Sequence, residues 1–186
     1  MANGKLTFRY GAMNSGKSRE ISSMIYNYKE QNRKAIVLIS DTMDRDYIQP
    51  RGAERIDAFR FKELINNNLN LSDCQAIIVD EAQFLNKEEV LKLNQITLEN
   101  NIDVIAYGLR TDFKGEPFEG SIYLLSLADS LEELTTLCVE CKDSRKARMN
   151  GRRVNGVKTK TGDSILIDGT DTKVEYTSLC RKCFYK

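Results

Sequence analysis

Eight consecutive residues, Gly11-Ala12-Met13-Asn14-Ser15-Gly16-Lys17-Ser18, fit the pattern G-x-x-x-x-G-K-S and leave this chain few ways to fold. The pattern carries meaning only with a strand before it and a helix after it. Both are legible. Residues 5–10 alternate and run into the glycines, and Ile21, Met24, Ile25 and Tyr28 recur at helical spacing within residues 17–31. In that setting successive backbone N–H groups point into one concavity, and the helix adds unsatisfied N–H groups and its positive dipole end. Such a loop holds the phosphates of ATP. Lys17 then reaches the β- and γ-phosphates, and the Ser18 hydroxyl completes a Mg²⁺ shell. A chance glycine-rich turn with an exposed lysine is the competing reading, which the strand–loop–helix setting disfavours.

The rest of the first two thirds repeats the same grammar. Residues 35–40 and 76–80 are short, almost wholly apolar runs, as expected of strands covered on both faces, and residues 103–107 are a further core strand. Residues 55–59 read as another short strand and 61–68 as a helix. A helix over 87–99 is expected to turn Val90, Leu91, Leu93 and Ile96 inward. Alternating strands and helices predict an α/β fold of the P-loop NTPase, RecA-like type: a parallel sheet with right-handed crossovers and helices on both faces. From Thr135 the texture changes to paired cysteines and a basic, glycine-containing stretch over 142–162, with 164–167 and 174–176 strand-like. We therefore expect an ATP-binding core over residues 1–133 and a small C-terminal unit over 134–186, a division that 186 residues can support.

Asp80 and Glu81 close the apolar run at 76–80, and the carboxyl ends of strands are where ligands sit in a doubly wound sheet. Asp80 is placed to hold Mg²⁺, directly or through water. Glu81 is placed to accept a proton from an attacking hydroxyl or to orient a water. Alternatively, one of them serves as an N-terminal charge for the helix beginning near Lys87.

The five cysteines fall as Cys138-x-x-Cys141, Cys180-x-x-Cys183 and a single Cys74. The two pairs have the spacing of a tetrahedral structural zinc site, with the long interval over 142–179 looped out between them. Two separate redox or disulfide pairs are the alternative. Four sulfur ligands leave no open position, so a zinc held there is structural. Cys74 reads as a small core residue. There is no histidine, which removes imidazole ligands and histidine-based acid–base mechanisms. The 28 basic and 27 acidic residues give no electrostatic footprint for duplex DNA or a membrane surface. No apolar run reaches about 18 residues, and the start lacks the apolar core of a signal peptide. A cytoplasmic protein is expected.

Taken together these residues resemble the zinc-containing thymidine kinase family, over nearly the whole chain. Beyond the generic ATPase signals, Tyr107-Gly108-Leu109-Arg110-Thr111-Asp112-Phe113 and Pro117-Phe118 are similar to the family's segment after its fourth strand. The resemblance implies that Leu109, Phe113 and Phe118 shape a thymine pocket and that Phe84 stacks near the base; from the residues alone these aromatics equally suit a core. It further implies Glu81 as general base on the 5′-hydroxyl, a lid between the cysteine pairs with Tyr176 as its tyrosine, and a homotetramer inhibited by thymidine triphosphate. Met43-Asp44-Arg45-Asp46-Tyr47 corresponds to a family segment whose arginine lies two places after its aspartate, whereas here Arg45 follows Asp44 directly. By that correspondence Asp44 belongs with the bound cofactor and Arg45 with the transition-state charge. The acidic box at residues 80–83 also resembles that of helicases, so a small motor or DNA-processing ATPase is the rival reading, although the chain has no length left for a second motor domain.

Overall fold

In the computed structural model, which describes residues 4–50, 52–141, 143–163 and 173–186, β1 (Leu6–Gly11) runs into the glycine loop and α1 (Lys17–Glu30) leaves it. β2 (Lys34–Ile39) follows, then a short antiparallel pair, β3 (Tyr47–Ile48) and β4 (Ile56–Asp57). Next come β5 (Phe59–Arg60), α2 (Phe61–Ile65) and β6 (Cys74–Asp80). A 3₁₀ turn (Ala82–Phe84) leads to α3 (Lys87–Asn100), β7 (Asp103–Gly108), α4 (Glu119–Leu127) and β8 (Ser130–Leu134).

Six strands form one sheet in the order β5-β2-β6-β7-β1-β8, and every pairing in it is parallel. Strand alternation sorts the apolar residues into two layers. Leu6, Phe8, Ile36, Leu38, Ile77, Val79, Val104 and Ala106 pack under α2, α3 and α4 through Phe61, Leu64, Val90, Leu93, Ile96 and Leu124. Val37, Ile39, Ala76, Ile78, Ile105 and Tyr107 face the other way, onto Ile21 of α1 and onto Ile48 and Ala58. Both faces are thus buried, which is why these strands read as continuous apolar runs. β7 stands between the strand of the phosphate loop and the strand of the acidic pair. With Tyr10 level with Gly108 and Val79 level with Ala106, the phosphate loop and Asp80 emerge at the same edge of the sheet.

Several expectations shift locally. Residues 55–59 do not form one strand: Ala58, 9% exposed, turns into the α1-side layer and donates its N–H to Asp46 O, separating β4 from β5. The helix expected over 61–68 stops at Ile65, because Asn67 takes a left-handed conformation (φ 55°) and Asn68 N–H folds back onto Glu63 O. Leu91 is 42% exposed and not inward; α3 buries Val90, Leu93, Ile96 and Thr97 instead, a stripe at three- and four-residue intervals. α3 starts at Lys87 because Asn86 and Glu89 close a reciprocal capping box, each side chain accepting the other's backbone N–H at 2.9 and 2.8 Å.

The described residues between the cysteine pairs include regular strands. β9 (Thr136–Leu137) pairs with β10 (Lys146–Ala147), and β11 (Met149–Val154) is flanked antiparallel by β12 (Val157–Thr159) and β13 (Val174–Leu179). The β11–β12 hairpin turns on Asn155 (φ 50°) and Gly156 (φ 80°), two left-handed residues in succession, as the tightest hairpins require. The strand expected over 164–167 lies outside the described residues. α5 (Arg181–Phe184) is the last helix. The core here is small: Leu179 and Phe184 with Cys138, Cys180 and Cys183, and Met149 and Cys141 packed beside them.

Candidate active site

Between β1 and α1 the chain encloses a cavity of about 420 Å³ lined by residues 13–19 together with Gln49, Glu81 and Leu109. α1 has no side-chain N-cap, which leaves the orphan N–H groups of its first turn for a bound anion. Lys17 Nζ donates to Ala12 O at 3.2 Å and Gly11 O at 3.5 Å. Burial pushes its ammonium below the ordinary lysine value, while the carboxylates of Glu81 and Asp80 pull the other way. Ser15 Oγ is buried and has no hydrogen-bond partner among the described residues.

At the end of β6, Asp80 is 1% exposed and accepts the Glu81 N–H on Oδ1 at 3.0 Å, whereas Oδ2 has no hydrogen-bond partner among the described residues. Burial, and then the charge of Glu81, push the Asp80 carboxyl up to about 7, against the Glu81 N–H, Arg45 and Lys17. A buried carboxylate oxygen with a free lone pair beside a phosphate loop fits a hard cation such as Mg²⁺. Glu81 itself takes a left-handed backbone (φ 53°), uncommon for a residue with a side chain and typical of functional sites. Arg45 Nη2 lies 4.0 Å from Asp80 Oδ2 and 3.9 Å from Glu81 Oε1, so this arginine reaches the acidic pair despite its shifted place in the sequence. Asp44 is exposed and lines neither this cavity nor the next.

A second cavity, of about 210 Å³, adjoins the first. Phe84, Leu109, Phe113, Phe118 and Tyr176 all line it, with Met13, Met43, Glu81, Gln83, Asp112 and Asn150. Phe84 and Phe118 meet edge to face, ring centroids 5.5 Å apart. Phe113 is presented by a tight turn: Asp112 Oδ1 accepts three successive N–H groups, from Lys114, Gly115 and Glu116, at 2.8 to 3.0 Å. The Arg152 guanidinium stacks 3.6 Å from the Phe113 ring centroid and donates to Thr161 O and Asp163 O. Met13, Glu81 and Leu109 belong to both cavities.

Gln49, Met43, Gln83, Asp112, Asn150 and Arg152 were not singled out in the sequence. Gln83, Met43 and Asp112 had a signal within reach, since they stand in the segments 80–83, 43–47 and 107–113 read above. The others come together by folding across long chain separations.

The sulfurs of Cys138, Cys141, Cys180 and Cys183 lie within 4.8 Å of one another, and Cys141 Sγ is 3.4 Å from both Cys180 Sγ and Cys183 Sγ. None of the five cysteines is in a disulfide. Four thiolates around zinc at about 2.3 Å put their sulfurs about 3.8 Å apart, so the cluster has the size of such a site. Cys74 is buried in the large core, packed with residues of β2 and β6.

A phosphate loop, a buried aspartate and a half-buried glutamate, set at the carboxyl edge of an all-parallel sheet and facing a second cavity, define a P-loop type of phosphate-binding site. The model of the thymidine kinase family matches residues 4–184, and the chain belongs to that family. It is 43% identical to a thymidine kinase of Listeria monocytogenes, over 96% of this chain and 95% of that protein. It is 38% identical to one of Lactococcus lactis, over 98% and 97% of the two chains. A thymidine kinase of Coxiella burnetii is 41% identical, over 97% and 94%. Among solved structures, the Pif1 helicase of Candida albicans overlaps 70% of this chain and 36% of its own at 17% identity and TM-score 0.44, too distant to bear on function. The rival motor ATPase reading finds no support in the family match.

Proposed function

We propose that this chain transfers the γ-phosphate of MgATP to the 5′-hydroxyl of thymidine, or of deoxyuridine, giving the monophosphate for DNA precursor synthesis. One observation carries this reading: Glu81 lines both the phosphate-loop cavity and the aromatic one. A carboxylate on that partition is where a general base must stand to take a proton from a hydroxyl on one side as phosphate arrives from the other. Residues Gly11, Ala12, Met13, Asn14, Ser15, Gly16, Lys17 and Ser18 would hold the donor phosphates. Arg45 would neutralise charge in transit. Asp80 and the Ser18 hydroxyl would hold Mg²⁺, with Asp44 in its outer surroundings. When bound, that ion offsets the charge of the phosphates. Phe84, Leu109, Phe113 and Phe118 would enclose the base as flat apolar walls, and Tyr176 on β13 would meet it from the lid side.

The test is a panel of deoxynucleosides with γ-labelled ATP. Label transfer to thymidine and deoxyuridine, with little ATP turnover in their absence, is the expected result. Turnover stimulated by single-stranded DNA and indifferent to thymidine would replace this reading with that of a motor.

We further propose a structural zinc at Cys138, Cys141, Cys180 and Cys183, supported by the sulfur spacing. The apolar cluster around these thiols is too small to order the unit alone. Metal analysis is expected to give one zinc per chain. Cys180→Ser should lose the metal and destabilise the protein by about 2 kcal/mol or more, with activity falling through displacement of β13. Metal-free protein of unchanged melting temperature and activity would dismiss the site. Division into a core over 1–133 and a zinc-binding, lid-bearing unit over 134–186, a homotetramer inhibited by thymidine triphosphate, and a cytoplasmic location complete the reading. Cysteines outside disulfides suit a reducing compartment, and among the described residues no helix is long and apolar enough to cross a membrane.

A further inference from the structure

Met13, Glu81 and Leu109 form the partition between the two cavities, and two buried amides hold all three. Gln83 donates from Nε2 to Glu81 Oε2 at 2.7 Å and accepts the Leu109 N–H on Oε1 at 3.1 Å. Asn150 accepts the Met13 N–H on Oδ1 at 2.8 Å and donates from Nδ2 to the Thr111 carbonyl at 2.8 Å. Gln83 is 2% exposed and Asn150 3%. Each amide therefore spends one donor and one acceptor on partners within the protein.

The approach of Gln83 is accommodated by its surroundings. A Cβ at Gly108 would stand 2.9 Å from Gln83 Oε1, so a larger residue at the strand end would push the amide from its place beside Leu109. Glu81 has few other restraints on its carboxylate: Arg45 is 3.9 Å away, beyond hydrogen-bond distance. Asn150 acts from β11, across a separation of 137 residues from Met13, and so ties the C-terminal sheet to the phosphate loop.

We propose that Gln83 and Asn150 are positioning residues for the phosphoryl transfer. Gln83 aims the Glu81 carboxylate at the acceptor hydroxyl and fixes Leu109 beside it. Asn150 fixes Met13 and with it the near wall of the donor site. The partition then keeps acceptor and donor in register and leaves no path for water to the γ-phosphate. This rests on the thymidine kinase reading given above.

The experiment measures thymidine monophosphate and ADP together, in the zinc-loaded protein. Absence of thymidine monophosphate from the wild type overturns the functional reading and this proposal with it. If the wild type is active, Gln83→Met is expected to lower kcat about ten- to hundredfold, with KM for thymidine and ATP within about threefold. The ADP released per monophosphate formed should rise about threefold or more, because a loosened carboxylate admits water. A general folding defect lowers both products together at constant ratio. A constant ratio, or kcat within about twofold of wild type, overturns the role of Gln83. If circular dichroism shows Gln83→Met unfolded, Gln83→Asn is judged by the same criteria, since it keeps the amide but is a methylene too short to span both partners. Asn150→Ala should raise the same ratio and also raise KM for ATP about fivefold or more, because Met13 belongs to the phosphate loop. An unchanged ratio and KM there overturn the role of Asn150.

Discussion

Lys17→Ala lowers thymidine-dependent turnover about a thousandfold, equivalent to about 4 kcal/mol of transition-state stabilisation, and leaves the melting temperature nearly unchanged. The two halves of that expectation come from the same geometry. Among the described residues Lys17 Nζ has only the carbonyls of Ala12 and Gly11 as hydrogen-bond partners, and burial already disfavours its charged form. Truncation removes a partly buried charge that the fold carries at a cost, so the folded state loses little. A phosphoryl group in transit loses the cation aimed at its oxygens. Steady-state kinetics beside a thermal melt checks both halves, and activity within a few-fold of wild type removes Lys17 from the mechanism.

Glu81→Gln lowers kcat about a hundredfold or more while ATP and thymidine still bind, the scale of a lost general base. Glutamine occupies nearly the same volume and keeps an oxygen for the Gln83 amide now bonded at 2.7 Å. What it lacks is the capacity to take a proton. Calorimetric affinities set against kcat decide the matter. A variant with unchanged kcat and a lowered melting temperature would make Glu81 structural and send the search for the base elsewhere.

Much of this was legible because parallel strands buried on both faces must be apolar, and phosphate loops must follow one strand and start one helix. β1, β2, β6 and β7 stand within a residue or two of their expected places. What escaped was decided by tertiary contact. β8 reads Ser-Leu-Glu-Glu-Leu, too polar for a core strand, because it lies at the sheet edge, where Glu132 and Glu133 pair with Arg9 and Lys146 at 2.7 Å. α4 was hidden by its even apolar texture, with Ile122 exposed and Leu124 buried within one turn. The β11–β12 hairpin did carry a local signal, Asn155-Gly156 between valines, which the charged surroundings obscured. In the site, residue types that announce chemistry were visible. The amides that orient them, Gln83 and Asn150, belong to a type that sequence cannot distinguish from surface polar residues.

A metal held by the four sulfurs would also change how the chain bears load. Cys138 and Cys141 lie just past β9, and Cys180 and Cys183 bracket the start of α5, so a metal bridging them makes a short circuit around residues 142–179. Tension applied between the two termini would pass from α5 through the metal to β9 and into the edge of the large sheet. β11, β12 and β13 would carry none of it until a metal–sulfur bond breaks. The zinc-loaded molecule should therefore lengthen in two stages in a pulling experiment, with the wall that carries Asn150 and Tyr176 as slack released only after the clasp opens.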